Sequence, residues 1–219
     1  PGEIPGCVGE IPVIKLTDLK DRHKDDPIMV LGGGPSLAED YWYVRRRYVR
    51  PILVAVNHHA ICAGIEPDYM VFMDDPIHHP LLFQAAKDYG GTKVCPLLEY
   101  TDVDMRGVQY WNGPSSALPA AWLACWMGGD PVFLCGFDLY QGEVMYCHPG
   151  EREDKPVYKR PLEDHLKRWK AGWRRYPEMM ERIRAVSGPL VEVFGPPASP
   201  QMRGERPNLG GNHRQKSRG

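Results

Sequence analysis

The chain has 219 residues, 42% hydrophobic and 25% charged, enough for an α/β domain that folds without disulfide or metal staples. Its 27 Lys and Arg nearly balance 28 Asp and Glu, leaving a net charge of −1, which excludes a wholesale electrostatic nucleic-acid binder and leaves only local basic patches. No apolar run approaches ~18 residues, so no membrane span is expected, and the opening PGEIPGCVGEIP has neither part of a secretory signal.

Residues 1–26 read as an N-terminal extension and 27–195 as the folded domain. Pro27-IMVLGG is a short apolar run closing on glycines, which predicts a buried strand. Ser36 starts a helix to about Tyr48, and Glu39 completes an S-x-x-E capping box. Pro51-ILVAVN and Tyr69-MVFMDD predict the second and third strands, 78–89 a helix, Thr92-KVCPLL a fourth strand and Val108-QYWN a fifth. Ser115 to Met127 is an apolar helix stopped by Gly128-Gly129. Pro131-VFLCGFD is a sixth strand, 163–186 a long basic helix rich in Trp, and Leu190-VEVF a last strand. Residues 142–163 read as a flexible lid. Residues 196–219 read as a disordered basic tail, because so few apolar groups cannot offset the entropy of ordering.

Strands alternating with helices predict a Rossmann-like α/β fold, a mostly parallel sheet with helices on both faces. Such sheets bind ligands beyond the carboxyl ends of their strands. The expected strand ends carry Gly32-Gly33-Gly34, Asn57, Asp74-Asp75, Asn112 and Asp138, types that approach or hydrogen-bond a polar ligand. The six cysteines form no CxxC pair, so zinc-ribbon and thioredoxin-like motifs are out, and a reducing, cytoplasmic location is expected.

Each constellation has a functional and a structural reading. Gly32, Gly33 and Gly34 before Ser36 suit a phosphate cradle at a helix N-terminus, or a tight turn. The run is neither G-x-G-x-x-G nor a Walker A motif. Asn57 reads a base or ribose, or caps a helix. Asp74 and Asp75, followed by His78-His79, bind a divalent metal, hydrogen-bond a ligand, or cap the next helix. Asn112, Ser115 and Ser116 repeat the loop-before-helix arrangement, as a second anion site or an N-cap. Asp138, Tyr140 and Tyr146 suit a sugar or phosphate, or pack. His165, near the start of the long helix, is the candidate acid/base, with a structural histidine as the other reading. Residues 151–175 hold nine Lys and Arg against five acids; nucleic acid is expected as a partner only through this basic lid or the tail.

The stretch Leu31-GGGPSL, then Asn57, Gly64-IEPDYMVFMDD and Ser115-SALPAAWLACWMGGDPVFLCGFDLYQG resembles a superfamily of glycosyltransferase-related proteins. It includes the family-forty-two bacterial sialyltransferases, the motility-accessory-factor flagellin glycosyltransferases and the archaeal 6-hydroxymethylpterin pyrophosphokinases. The resemblance covers roughly residues 27–148. It implies a transferase with a nucleotide-activated sugar donor, CMP-linked first and UDP-linked second, and a hydroxyl acceptor. It implies nucleoside contact by Asn57, a helix-cap role for Ser115 or Ser116, phosphate contact by Tyr140 and Tyr146, and His165 as catalytic residue with His148 as competitor. Gly33 stands where the sialyltransferases have an Asn, which leaves the donor open. Acidic Asp74 or Asp75 in place of a third-strand Asn raises a metal site for Mg²⁺ and, as alternative activity, Mg²⁺-dependent diphosphate transfer from ATP. A non-catalytic nucleotide- or polyanion-binding protein is the third expectation. Homo-oligomers are common among such enzymes, although no residue here marks an interface.

Overall fold

A computed structural model describes residues 14–97, 100–105, 116–149 and 160–198. Its elements in chain order are β1 (Ile14–Lys15), a 3-10 turn (Leu16–Leu19), β2 (Ile28–Leu31), α1 (Leu37–Arg45), β3 (Ile52–Val56), α2 (His59–Cys62) and β4 (Tyr69–Val71). A second 3-10 turn (Pro76–His78) leads to α3 (Pro80–Asp88), β5 (Thr92–Cys95), β6 (Val103–Asp104), α4 (Ala117–Trp126) and β7 (Val132–Cys135). Then follow α5 (Leu162–Gly172), α6 (Pro177–Met180), β8 (Ile183–Ala185) and α7 (Val191–Phe194).

The eight strands form one sheet in the order β1-β6-β5-β4-β3-β2-β7-β8, and every pairing is parallel. Parallel strands buried on both faces need no alternation of apolar and polar residues. That is why β2 and β7 read as unbroken IMVL and VFLC, all buried. Their in-register pairing, Ile28 beside Val132 and Leu31 beside Cys135, sets the loops after both strands side by side. Strand order reverses here, since β2 leads to β3 on one side and β7 lies on the other. The expected α/β sheet is therefore present.

Both faces are covered. On one, Met29, Leu31, Leu53 and Ala55 pack with Leu37 and Val44 of α1, while Met70 and Cys95 meet Leu82 and Ala86 of α3. On the other, Ile28, Val30, Val54, Val71 and Leu134 pack against α4, Leu166, Trp169, Trp173 and Phe194. Eight successive residues of α4, Leu118–Cys125, are buried; a helix apolar all round belongs in the interior.

Four features differ from the sequence reading. The predicted helix over 163–186 is α5, α6 and β8, because Pro177 cannot continue a helix. The predicted last strand, Leu190–Phe194, is the short helix α7; Gly188 turns the chain at φ 72° just before it. Four apolar residues are too few to separate the two periods. Ser36 makes no side-chain cap, so the expected capping box with Glu39 is absent. Finally, the sheet starts upstream of Pro27: β1 pairs with β6, and Leu19 is fully buried. The predicted strand at 108–112 and the tail from 199 lie outside the described residues, as do 150–159 of the expected lid. No helix among the described residues is long and apolar enough to cross a membrane.

Candidate active site at the strand-order reversal

A cavity of about 460 Å³ opens at the carboxyl ends of the central strands, the place where open parallel sheets bind ligands. Gly32, Gly33, Gly34, Asn57, Asp74, Ser116, Asp138, Tyr140, Tyr146 and His165 all line it. Ser36, Asp75 and His148 do not; Asn112 and Ser115 lie outside the described residues.

The glycine loop is built chiefly for close approach. Gly34 donates to the Gly136 carbonyl at 2.9 Å, and a Cβ on Gly34 would overlap the Asp138 carboxylate. A Cβ on Gly33 would stand 2.6 Å from the His59 ring. Asp138 Oδ2 accepts from the Ser36 amide at 3.2 Å and the Ser36 hydroxyl at 2.9 Å. The N-terminus of α1 thus faces the protein's own carboxylate, at the run read from sequence as a phosphate cradle or a tight turn. The N-terminal turn of α4, Ser116-Ala117-Leu118, borders the cavity instead. Ser116 Oγ accepts from the Met73 amide at 3.0 Å, pinning that turn to the end of β4.

Beneath the loops lies a carboxylate that sequence reading missed. Asp40, only 2% exposed, accepts at Oδ2 from the Gly136 amide (2.9 Å) and Ser187 Oγ (3.0 Å), and Ser36 Oγ, whose single proton is shared between Asp40 and Asp138, lies 3.1 Å away. It joins α1 to the loops after β7 and β8. Burial raises its pKa, against the lowering effect of these hydrogen bonds. A polar residue at a helical position facing the sheet, four after Ser36, was the signal available.

Asn57 ends β3 at φ 55°, a left-handed conformation that Asn adopts more readily than most residues. Its Nδ2 donates to Asp74 Oδ2 at 3.4 Å. Its Oδ1 is buried without a protein partner among the described residues. Buried carbonyls are normally paired, and this unpaired one belongs to a residue on the cavity wall. Asp75, by contrast, caps the Pro76–His78 turn through Oδ1 and the Ile77 amide at 3.0 Å.

Aromatic rings form the far wall. Leu139 and Tyr140 are both left-handed, at φ 52° and 61°. Two such residues in succession are strained and persist only where the surroundings impose them. Tyr140 meets Tyr146 edge-on at 6.2 Å between centroids and His165 at 5.7 Å. Tyr146 stacks on His59 at 4.7 Å. His165 is 7% exposed on α5, and Arg160 and Arg168 join it on the cavity wall. Arg168 follows His165 by three residues, hence on the same helix face, a spacing readable from sequence. His148 hydrogen-bonds His59 Nδ1 through Nε2 at 2.8 Å and the Pro149 carbonyl through Nδ1 at 3.0 Å.

No family model and no curated protein matches the chain. Two solved glycosyltransferases are similar in structure. One is the MAf glycosyltransferase from Magnetospirillum magneticum AMB-1, at 14% identity and TM-score 0.40, covering 63% of this chain and 32% of that one. This chain therefore spans about a third of that protein's length. The other is the monofunctional alpha-2,3-sialyltransferase Cst-I from Campylobacter jejuni, at 14% identity and TM-score 0.42, covering 78% and 80%.

Proposed function

We propose that the chain is a glycosyltransferase-like enzyme that holds a nucleotide-activated sugar in the cavity at the strand-order reversal. The observation that carries this reading is Asn57: a left-handed residue on the wall of a cavity of ligand size, whose side-chain oxygen is buried with no protein partner among the described residues. Such an oxygen suits the exocyclic amine of a cytosine or a ribose hydroxyl. A CMP-linked donor is proposed first and a UDP-linked one second.

The phosphate is assigned to the N-terminal turn of α4, where backbone N–H groups and the helix dipole favour an anion. Arg160, Arg168 and the hydroxyls of Tyr140 and Tyr146 supply further donors around the same cavity. In the reaction the acceptor hydroxyl attacks the anomeric carbon as the sugar–phosphate bond breaks. The nucleotide leaves with the bonding pair, and charge growing on its phosphate is stabilised by those donors. His165 accepts the hydroxyl proton. It is preferred to His148 because it lines the cavity and His148 does not. With cations supplied by arginines, no metal is required for departure. The buried thiols Cys95, Cys125 and Cys135 accord with a reducing, cytoplasmic setting.

Mg²⁺-dependent diphosphate transfer from ATP draws less support. It needs converging carboxylates, and Asp75 and Asp138 are each engaged in capping backbone amides.

The test is a thermal-shift screen of CMP, CDP, UDP, GDP and ATP, with and without Mg²⁺. CMP is expected to raise Tm without metal, by an amount equivalent to about 2.7 kcal/mol at 100 times Kd. Asn57→Ala is expected to weaken CMP at least tenfold. A shift by ATP only with Mg²⁺ would replace this reading with diphosphate transfer, and no shift with any nucleotide would overturn both.

A further inference from the structure

Next to the cavity, α2 and the loop after β7 bring a second set of ligating atoms together. His58 and Cys62 are four residues apart across α2 and so project from one helix face. His148 comes from the other side, anchored by its neighbour, whose amide (Cys147) donates to the Gly33 carbonyl at 2.8 Å. One ligand atom from each of His58, Cys62 and His148 lies within 4.8 Å of the other two. The His58 and His148 rings are 5.4 Å apart, and His58 is 3% exposed.

We propose that His58, Cys62 and His148 form a three-ligand site for a zinc-class divalent cation. The donor set decides the class: a thiolate with two imidazoles suits Zn²⁺, whereas Mg²⁺ and Ca²⁺ want oxygen. Around tetrahedral zinc, neighbouring ligand atoms stand about 3.3–3.6 Å apart. The cluster reaches this by contracting roughly 1 Å, within the reach of side-chain rotation. Pro149 supplies the outer contact: its carbonyl accepts from His148 Nδ1–H and leaves Nε2 with the lone pair. That lone pair now accepts from His59 Nδ1 at 2.8 Å. The cation takes it over, His59 moves its ring proton to Nε2, and the Cys62 thiol proton leaves to solvent as the thiolate binds. Three protein ligands leave a fourth position for water or a substrate atom, and His58 itself borders the cavity. The site stands apart from the nucleotide reading, since none of its ligands is used there.

The experiment takes the full chain, stripped with chelator, and titrates it with Co²⁺ and then Zn²⁺. One equivalent of Co²⁺ should give a thiolate-to-cobalt charge-transfer band with tetrahedral d–d absorption, displaced by Zn²⁺. Cys62→Ala, at an exposed position, should abolish the band, and His148→Gln should weaken binding at least about tenfold. Cys147→Ser should keep the band, and circular dichroism of each variant confirms folding. Absence of a stoichiometric sulfur-to-cobalt band, its survival in Cys62→Ala, or its loss in Cys147→Ser overturns the proposal.

Discussion

Asp40 and His23 show how single buried groups set the response of this fold to pH, in opposite directions. Asp40 has its pKa raised above the ordinary 3.8, mainly by burial. The folded state then holds the proton more tightly than the unfolded one, so stability falls as pH rises from 3.8 through the folded pKa. Urea midpoints for wild type and Asp40→Asn across that range should show the slope in wild type only. Asp40→Ala removes the hydrogen bonds from Ser187 and Gly136 and strands the buried Gly136 amide, and should lower urea stability by about 3 kcal/mol. His23 Nε2 pairs with the Tyr69 hydroxyl at 2.8 Å, and burial, then Arg22, lowers its pKa below 6.5. A depressed imidazole contributes stability above 6.5 that is lost as pH falls through the folded value. His23→Gln should therefore flatten the acid-side decline of Tm below that pH. Neither role was legible in the sequence, because burial and partner are tertiary facts.

At the scale of elements, α4 was legible from start to stop, since a helix apolar on every side has one place to go. Its end depends on Gly128 at φ 91°, where a Cβ would come within 2.8 Å of the Lys24 backbone. Gly128→Ala should cost about 1–3 kcal/mol in chemical denaturation, while Leu123→Ala in its centre should cost about 2–5 kcal/mol. The segment after residue 172 was misread because its helical pattern runs on through Pro177. Only the pairing of Val132 with Ile183 shows that Ile183–Ala185 is a strand. The same holds for α7: Phe194 packs edge-on against Trp169 and Trp173, a tertiary contact that outweighs the β propensity of Val191 and Val193.

For the whole molecule, β1 and Leu19 tie the chain start to the far edge of the sheet and to α4. The Trp126 indole donates to the Leu16 carbonyl at 3.1 Å. A chain cut at Pro27 should therefore melt below the full chain in a calorimetric scan, although hydrophobicity alone marks 27 as the start. Apolar runs of four to five residues alternating with helical segments determined the parallel α/β sheet, because buried strands and amphipathic helices differ in period and length. The same sequence placed Gly32–Gly34, Asn57, Asp74, Asp75, Asn112 and Asp138 at expected strand ends. What each of these side chains touches was decided in three dimensions. Asp138 turns to the α1 N-terminus, Asp75 to a 3-10 turn, and Asn57 to Asp74. His58, Cys62 and His148 converge across 90 residues of chain. Periodicity records which face of an element is buried, whereas the convergence of polar side chains depends on the order in which strands pair, and that order is a property of the folded sheet.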